Sequence, residues 1–499
     1  MNSFLNGLTN ANNFTYTENG ALTHKSTGTA LLDMFGMGAA YRTRSDEDCI
    51  LLFKNAFEEN PSYALKCLFY LRDCRGGQGE RRFWRVCMKW LANNNKDAAL
   101  RNLPHVPKYG RWDDLYVFMG TPLENDALSF MKEQLALDVQ CKTPSLLAKW
   151  LKSENTSSAS SRKLAQRTRT YLGMTHRQYR KTLSILRQRI NVLERLMSAG
   201  KWDEIEFDKI PSRAGMIYKN AFARHDLERM KSEKNVQSYS DFAKDETKSV
   251  NAKTLYPYEC VESASKCYRK ELHDPVRLMT NKYWDNLEDY FNKASFNALA
   301  VVDTSGSMTW HGPVYPIDVA TSLGIYCAEK AKGPFAGYYV SFSRNPRLIK
   351  VEGVDFVDKV RRIREADLCE NTNIEATFDM LLDTAMRNGC TQEELPENII
   401  IISDMEFDDG CGYYGRTRDT DTLMEKIRMK WKQFGYEMPK LIYWNVQARQ
   451  NNIPEDLGCG LVSYVSGMSP SIFETIMSGK TGMDLCLEKL DSERYACIN

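Results

Sequence analysis

Asn297-Ala-Leu-Ala-Val-Val-Asp303-Thr-Ser305-Gly-Ser307-Met308 decides the fold of the C-terminal part of this chain. Its first six residues carry no charge, and the run Ala298–Val302 is apolar throughout, as in a strand buried on both faces. The run then breaks into an acid and two serines around Gly306. Acids and hydroxyls at the end of a buried strand do nothing for a core. They suit a binding site, because open α/β sheets take ligands beyond the carboxyl ends of their strands. Two other stretches converge on the same place. The strand-like run Asn398–Ser403 ends in Asp404, and the loop Glu370-Asn-Thr372-Asn373 leads into a helix.

The donor types match a hard divalent ion. Mg²⁺ or Mn²⁺ takes octahedral oxygen ligands and keeps several waters. Ser305 and Ser307 present hydroxyls across the tight turn that Gly306 permits, Thr372 adds a third, and Asp303 and Asp404 balance charge through water. One position stays open for an acidic side chain or a phosphate oxygen. The pattern D-x-S-x-S…T…D at Asp303, Ser305, Ser307, Thr372 and Asp404 resembles the metal-ion-dependent adhesion site (MIDAS) of von Willebrand factor A (vWA) domains. One departure stands out: Met405-Glu406-Phe-Asp-Asp409 crowds the site with acids that compete for the open position or repel a phosphate.

Working outward, strands are expected at 297–302, 336–342, 347–350, 398–403, 439–445 and 460–466. Helices are expected at 315–332, 354–366, 374–387, 419–433, 470–478 and 481–490. This alternation predicts a doubly wound parallel sheet, a Rossmann-like α/β domain over residues 292–499.

Upstream the signal changes. Residues 1–44 read as a polar arm with a short apolar segment at Leu31–Phe35. Residues 45–291 read as successive amphipathic helices, opened by the N-cap Ser45 and then by Pro61. No clean repeat period is visible, so an all-α, HEAT-like helical ring or solenoid is expected from helix order alone. Residues 231–255 read as a polar loop or insert. Tyr109-Gly-Arg-Trp-Asp-Asp114 and Ala199-Gly-Lys-Trp-Asp-Glu204 echo one another, which also fits two helix ends each plugged by a tryptophan.

Charge is unevenly spread. The chain of 499 residues has a net charge of +2, yet between 141 and 190 twelve basic residues face a single acid, Glu154. Such a stretch suggests a polyanion surface. It interleaves cations with Trp150, Tyr171, His176 and Tyr179, and cations neutralise phosphates while aromatics stack on unpaired bases. Candidate RNA contacts are Lys149, Lys152, Arg162, Lys163, Arg167, Arg169, Arg177, Arg180, Lys181, Arg187 and Arg189. The glycine-rich stretch with Arg75, Arg81 and Arg82 is a second candidate, although a helix–helix loop with Arg–Glu pairing explains it equally.

A helical array followed by a vWA domain resembles the Ro autoantigen (TROVE-vWA) family, most closely its viral, phage and plant-type branch. The segments that carry this are Leu71-Arg-Asp-Cys-Arg-Gly-Gly-Gln-Gly-Glu-Arg81, Tyr109-Gly-Arg-Trp-Asp-Asp-Leu115, Ala252-Lys-Thr-Leu-Tyr-Pro-Tyr258 and Ile402-Ser-Asp-Met-Glu-Phe-Asp408. The resemblance implies a helical ring closed by the vWA domain. It implies a ribonucleoprotein that holds small structured RNA on the outside of the ring and single-stranded 3′ ends of misfolded RNA in its hole. It implies no catalytic role for the metal.

No enzyme is expected. There is no P-loop, and His24, His105, His176, His225, His273 and His311 form no catalytic motif. Nor does a metal held by hydroxyls come with a positioned general base. The fourteen cysteines are scattered, without a C-x-x-C pair, which predicts reduced thiols in the cytoplasm. No run is long and apolar enough for a membrane span, and MNSFLNGLTNANNF lacks the basic and apolar regions of a secretory signal. The chain is expected to be a monomer. The rival reading is a metal-dependent protein–protein scaffold, with the metal capturing a partner's acidic side chain and the basic stretch incidental.

Overall fold

A computed structural model of the chain describes residues 13–232, 236–291, 296–309, 312–342, 345–366, 373–408, 422–455 and 462–499. Its strands are β1 (Phe14–Tyr16), β2 (Leu22–His24), β3 (Ala298–Asp303), β4 (Tyr338–Phe342), β5 (Arg347–Lys350), β6 (Asn398–Ser403), β7 (Lys440–Asn445) and β8 (Val462–Ser466).

Strands β3 to β8 form one six-stranded sheet in the order β5-β4-β3-β6-β7-β8. β3 lies inside it with all six residues buried, as its apolar run requires. β4, β3, β6, β7 and β8 run parallel. β5 departs from the parallel expectation and pairs antiparallel with β4. The connection from Phe342 to Arg347 is too short for the crossover that a parallel neighbour needs, and β5 forms an exposed edge. Val302 pairs with Ile402, so Asp303 and Asp404 emerge side by side at the carboxyl edge of the sheet.

The region before the sheet is helical. Ser45 Oγ accepts the Asp48 N–H at 3.0 Å and caps helix Asp46–Glu59. Asn60 caps helix Pro61–Arg72, whose first residue lacks the N–H that would be orphaned there. Between 144 and 152 only Leu147–Trp150 is helical. The two tryptophan echoes are plugs: Trp112 stacks on Phe130 and Trp202 on His225, with ring centroids 5.5 and 4.0 Å apart. Within 231–255, helix Tyr239–Lys244 forms, and Tyr239, Phe242, Val250, Ala252 and Leu255 are buried. The polar composition of that segment therefore hides an anchored stretch.

The helical region meets the α/β domain at both of its ends. At the first, helix Ala30–Met37 lies on β8, and a Cβ on Gly36 would sit 2.8 Å from Tyr464 Cβ. The apolar segment of the arm is thus the joint between the two halves. The C-terminus closes the same end. Arg494 pairs with Asp73, Tyr495 stacks on Tyr109 with centroids 5.6 Å apart, and Asn499 bonds to Asn102. At the second end, helix Pro275–Asp285 meets helix Phe356–Ala366. Arg277 Nε lies 2.8 Å from Asp355, and Trp284 donates to Glu329 at 2.7 Å.

Residues 13–24 form a hairpin, β1 with β2, that lies along the α/β domain. His24 and Ile453 exchange backbone hydrogen bonds, and Gly20 bridges to Asp408. Local alternation did not announce this hairpin, because its partners lie about 400 residues away.

Among the described residues no helix is long and apolar enough to cross a membrane. The described cysteines are all unpaired in disulfide terms, and most are buried, Cys49, Cys67, Cys87, Cys260, Cys267, Cys327 and Cys486 among them.

Candidate functional site

A cavity of about 2070 Å³ opens in the helical region, against the α/β domain. Its walls come from both. The helical region supplies nearly all of them, and Pro313, Val314 and Met468 come from the α/β domain. Typical small-molecule pockets run to roughly 1,000 Å³, so this space suits a polymer segment.

The candidate cations divide at this cavity. Arg75, Arg81, Arg82, Lys149, Arg177, Arg180, Lys181 and Arg187 line it, while Lys152, Arg162, Lys163, Arg167, Arg169 and Arg189 do not. Helical spacing explains the first group. In helix His176–Arg189 the residues Arg177, Arg180, Lys181 and Ser184 share one face, toward the cavity; Leu186 is buried behind it, while Tyr179 and Leu183, buried too, still reach the cavity wall.

The second group is engaged elsewhere or faces outward. Lys152 lies 3.6 Å from Asp113, Arg167 pairs with Glu124, and Arg169 lies 2.8 Å from Glu154. Arg162 donates to the carbonyls of Thr156 and Ser157, and Arg189 to that of Val139. Lys163 is exposed.

Three lining residues are held by bonds within the helical region. Arg187 donates to Ala148 O at 2.9 Å, Leu151 O at 2.9 Å and Ser153 Oγ at 3.0 Å, which caps the short helix Leu147–Trp150. Its guanidinium is a structural pin. Arg82 reaches Asp46, as the pairing alternative foresaw in kind, though with a different acid. Arg75 donates to Lys108 O at 3.0 Å.

Five lining arginines escaped the sequence reading: Arg42, Arg72, Arg111, Arg195 and Arg213. All but Arg72 sit in stretches where acids balance the charge, and Arg72 ends the apolar helix Pro61–Arg72. Arg72 is held by Asp114 and Arg213 by Glu259 at 3.0 Å. Arg111 lies flat on Trp150, with Cζ 4.1 Å from the ring centroid. The cavity also exposes apolar surface: Leu146, Ile185 and Ile217 are 48%, 42% and 61% accessible. Cations beside apolar and aromatic side chains are what a single strand engages, through phosphates and base faces.

The acidic cluster lies at the carboxyl ends of β3 and β6. Asp303 takes the Ser305 N–H on one oxygen at 2.9 Å and the Ser403 hydroxyl on the other at 2.5 Å. Ser305 Oγ and Ser307 Oγ are 2.9 Å apart. Asp404 takes the Glu406 N–H and lies 2.9 Å from an Arg449 nitrogen. Met405, between the two acids, has φ +65°, a left-handed backbone that costs about 1 kcal/mol or more outside glycine. Burial and the Asp404 carboxylate push Asp303 up to about 7, against hydrogen bonds from Ser403 and Ser305. Burial also raises Asp404, against the pull of Arg449. Burial lifts Glu406 to about 7, with Asp404 adding to it.

These residues fit a hard divalent cation. Two hydroxyls lie side by side, and two buried carboxylates repel each other where a cation would relieve them. Thr372 lies outside the described residues. Among those described, no three His, Cys, Asp or Glu side chains gather closely enough to make a metal site by themselves. Any ion here therefore depends on the serines.

Comparison with solved structures gives the class. The crystal structure of the Deinococcus radiodurans Ro (RSR) protein matches with a TM-score of 0.50, 12% identity and coverage of 91% of this chain and 100% of that one. A helical region joined to an α/β domain of mostly parallel strands is thus a Ro-like fold. A relative from Acanthamoeba polyphaga mimivirus, uncharacterized protein L728, is 30% identical over 506 residues, spanning 94% of this chain and 85% of its own. The model for the domain of unknown function DUF2828 matches residues 17–145 and 136–295, and that for DUF7788 matches 297–495. The chain belongs to the DUF2828 family.

Proposed function

We propose that this protein is a non-enzymatic RNA-binding protein of Ro-like architecture. Its HEAT-like helical ring holds small structured or misfolded RNA, and its C-terminal half is a vWA-type domain with a Mg²⁺ (or Mn²⁺) site at Asp303, Ser305, Ser307, Thr372 and Asp404. One observation carries the reading. Cations from well-separated stretches, Arg42 to Arg213, gather on one cavity with apolar side chains between them. Arg177, Arg180 and Lys181 are its main phosphate contacts, and Trp150 with Ile185 and Ile217 meets base faces. We place the protein in the cytoplasm as a monomeric ribonucleoprotein partner, in keeping with the unpaired thiols among its described residues.

The adhesion-type alternative is not favoured. One carboxylate oxygen of the buried Asp404 is taken by Arg449, and Glu406 and Phe407 beside it are bonded to the N-terminal hairpin.

The deciding experiment is crosslinking and sequencing of nucleic acid that co-purifies with the full chain, followed by titration with an RNA bearing a single-stranded 3′ tail. RNA crosslinks within 177–185 and an affinity that falls steeply with salt are expected. Protein free of RNA, with no salt-sensitive binding to the tail, overturns the proposal.

A further inference from the structure

The N-terminal hairpin bonds to the segment that follows β6. The Glu18 N–H donates to Glu406 Oε2 at 2.7 Å, Asn19 Nδ2 to Glu406 O at 2.6 Å, and Thr17 Oγ1 to Phe407 O at 2.6 Å. The Glu18 side chain reaches further. Arg449 holds its carboxylate at 2.6 Å with one terminal nitrogen and Asp404 at 2.9 Å with the other. One guanidinium thus ties the hairpin to a proposed metal ligand.

The charges here do not balance locally. Asp303, Asp404 and Glu406 are all buried, and Arg449 answers Asp404 and Glu18. The second carboxylate oxygen of Glu406 is buried and finds no hydrogen-bond partner among the described residues. A divalent cation against Asp303, Ser305 and Ser307 would act on the hairpin in two ways of the same sign. It would offset the repulsion between Asp404 and Glu406, steadying the strip 404–408 on which the hairpin sits. It would also take over the charge of Asp404, leaving Arg449 to Glu18.

We propose that Thr17–Gly20 is a latch on the metal site, so that divalent-cation loading and seating of the N-terminal hairpin favour one another. The inference rests on the metal part of the function proposed above. By linkage the effect is reciprocal: whatever loosens the latch weakens the ion by the same factor.

Hydrogen exchange of the full chain, with Mn²⁺ and with chelator, tests it alongside Mn²⁺ titration by electron paramagnetic resonance. Exchange at residues 17–20 is expected to slow by about fivefold with Mn²⁺, and Ser305→Ala is expected to abolish that response. Thr17→Val with Asn19→Ala removes two latch bonds without touching a proposed ligand, and is expected to weaken Mn²⁺ by about the same fivefold. Wild-type protein that binds Mn²⁺ with unchanged or faster exchange at 17–20 overturns the latch and leaves the metal site standing. Protein that binds no Mn²⁺ overturns both.

Discussion

Trp284 of the helical region lies flat on Phe356 of the α/β domain, with ring centroids 4.0 Å apart and planes within 12°. Beside this stack Asp355 receives Arg277 and Asn281, and all three side chains are part-buried or buried. Removing the acid leaves the arginine without its partner in the seam. Asp355→Ala is expected to destabilise the protein by about 3 kcal/mol in urea unfolding, with the Trp284 emission shifting to the red.

The same seam gives a pH dependence. Burial would raise Asp355 and Asp358, but it is outweighed. Arg277, the Asp358 N–H and Asn281 hold Asp355 below the usual carboxylate range, and Arg361, the Val354 N–H and Arg362 hold Asp358 down at about 2. A depressed folded value means the unfolded chain takes up protons first. The stability from these two acids is complete above about pH 4 and is lost as pH falls toward 2. Acid titration of tryptophan fluorescence is expected to show the seam opening in that window, and Asp355→Asn is expected to move the opening to higher pH.

The proposed function assigns phosphate contacts to the cavity face of helix His176–Arg189 and none to the cations off the cavity. Arg177→Glu with Arg180→Glu and Lys181→Glu is expected to lower affinity for a single-stranded RNA tail about a hundredfold. It should also reduce the salt slope by about 2, at roughly 0.7 per phosphate. Arg162→Glu with Lys163→Glu and Arg167→Glu, off the cavity, is expected to leave the slope nearly unchanged. Equal effects from the two triple variants, measured by fluorescence anisotropy, would place the RNA elsewhere.

Arg187 lines the same cavity but acts differently. Its three bonds to Ala148, Leu151 and Ser153 are charge-assisted and local. Arg187→Ala is expected to cost about 3 kcal/mol of stability by chemical denaturation. The salt slope of RNA binding should stay as in the wild type.

The hydroxyl pair carries the metal prediction. Mn²⁺ at a hundred times its dissociation constant is expected to stabilise the wild-type chain by about 2.7 kcal/mol in thermal unfolding. Ser305→Ala removes one of two oxygens 2.9 Å apart and is expected to weaken Mn²⁺ at least about tenfold. An unchanged thermal shift in that variant would move the ion away from the turn.

What the sequence disclosed follows the range of the interactions involved. β3 and β6 were legible because apolar runs ending in acids need no distant partner to be recognised. The stripe Arg177, Arg180 and Lys181 was legible because helical spacing alone puts it on one face. Arg42, Arg195 and Arg213 were not, since each becomes a cavity residue only through tertiary folding. Arg187 looked like its neighbours in charge, while the carbonyls that claim it are invisible in side-chain chemistry. The hairpin 14–24 hid for the same reason: its bonds run to Glu406, Phe407 and Ile453. The crowding acids after Asp404 were noticed, but only the structure gives Glu406 its partner, the arm.

The pairing of Asp73 with Arg494, 421 residues apart, bears on biosynthesis. Asp73 is fully buried, and the arginine that answers it belongs to the α/β half, which is translated after the helical region. A growing chain has its basic helices before it has Pro313, Val314 and Met468, the part of the cavity wall that the α/β domain supplies. On the proposed function, the nascent helical region offers polyanions an open cationic surface, and enclosure follows only with the α/β half.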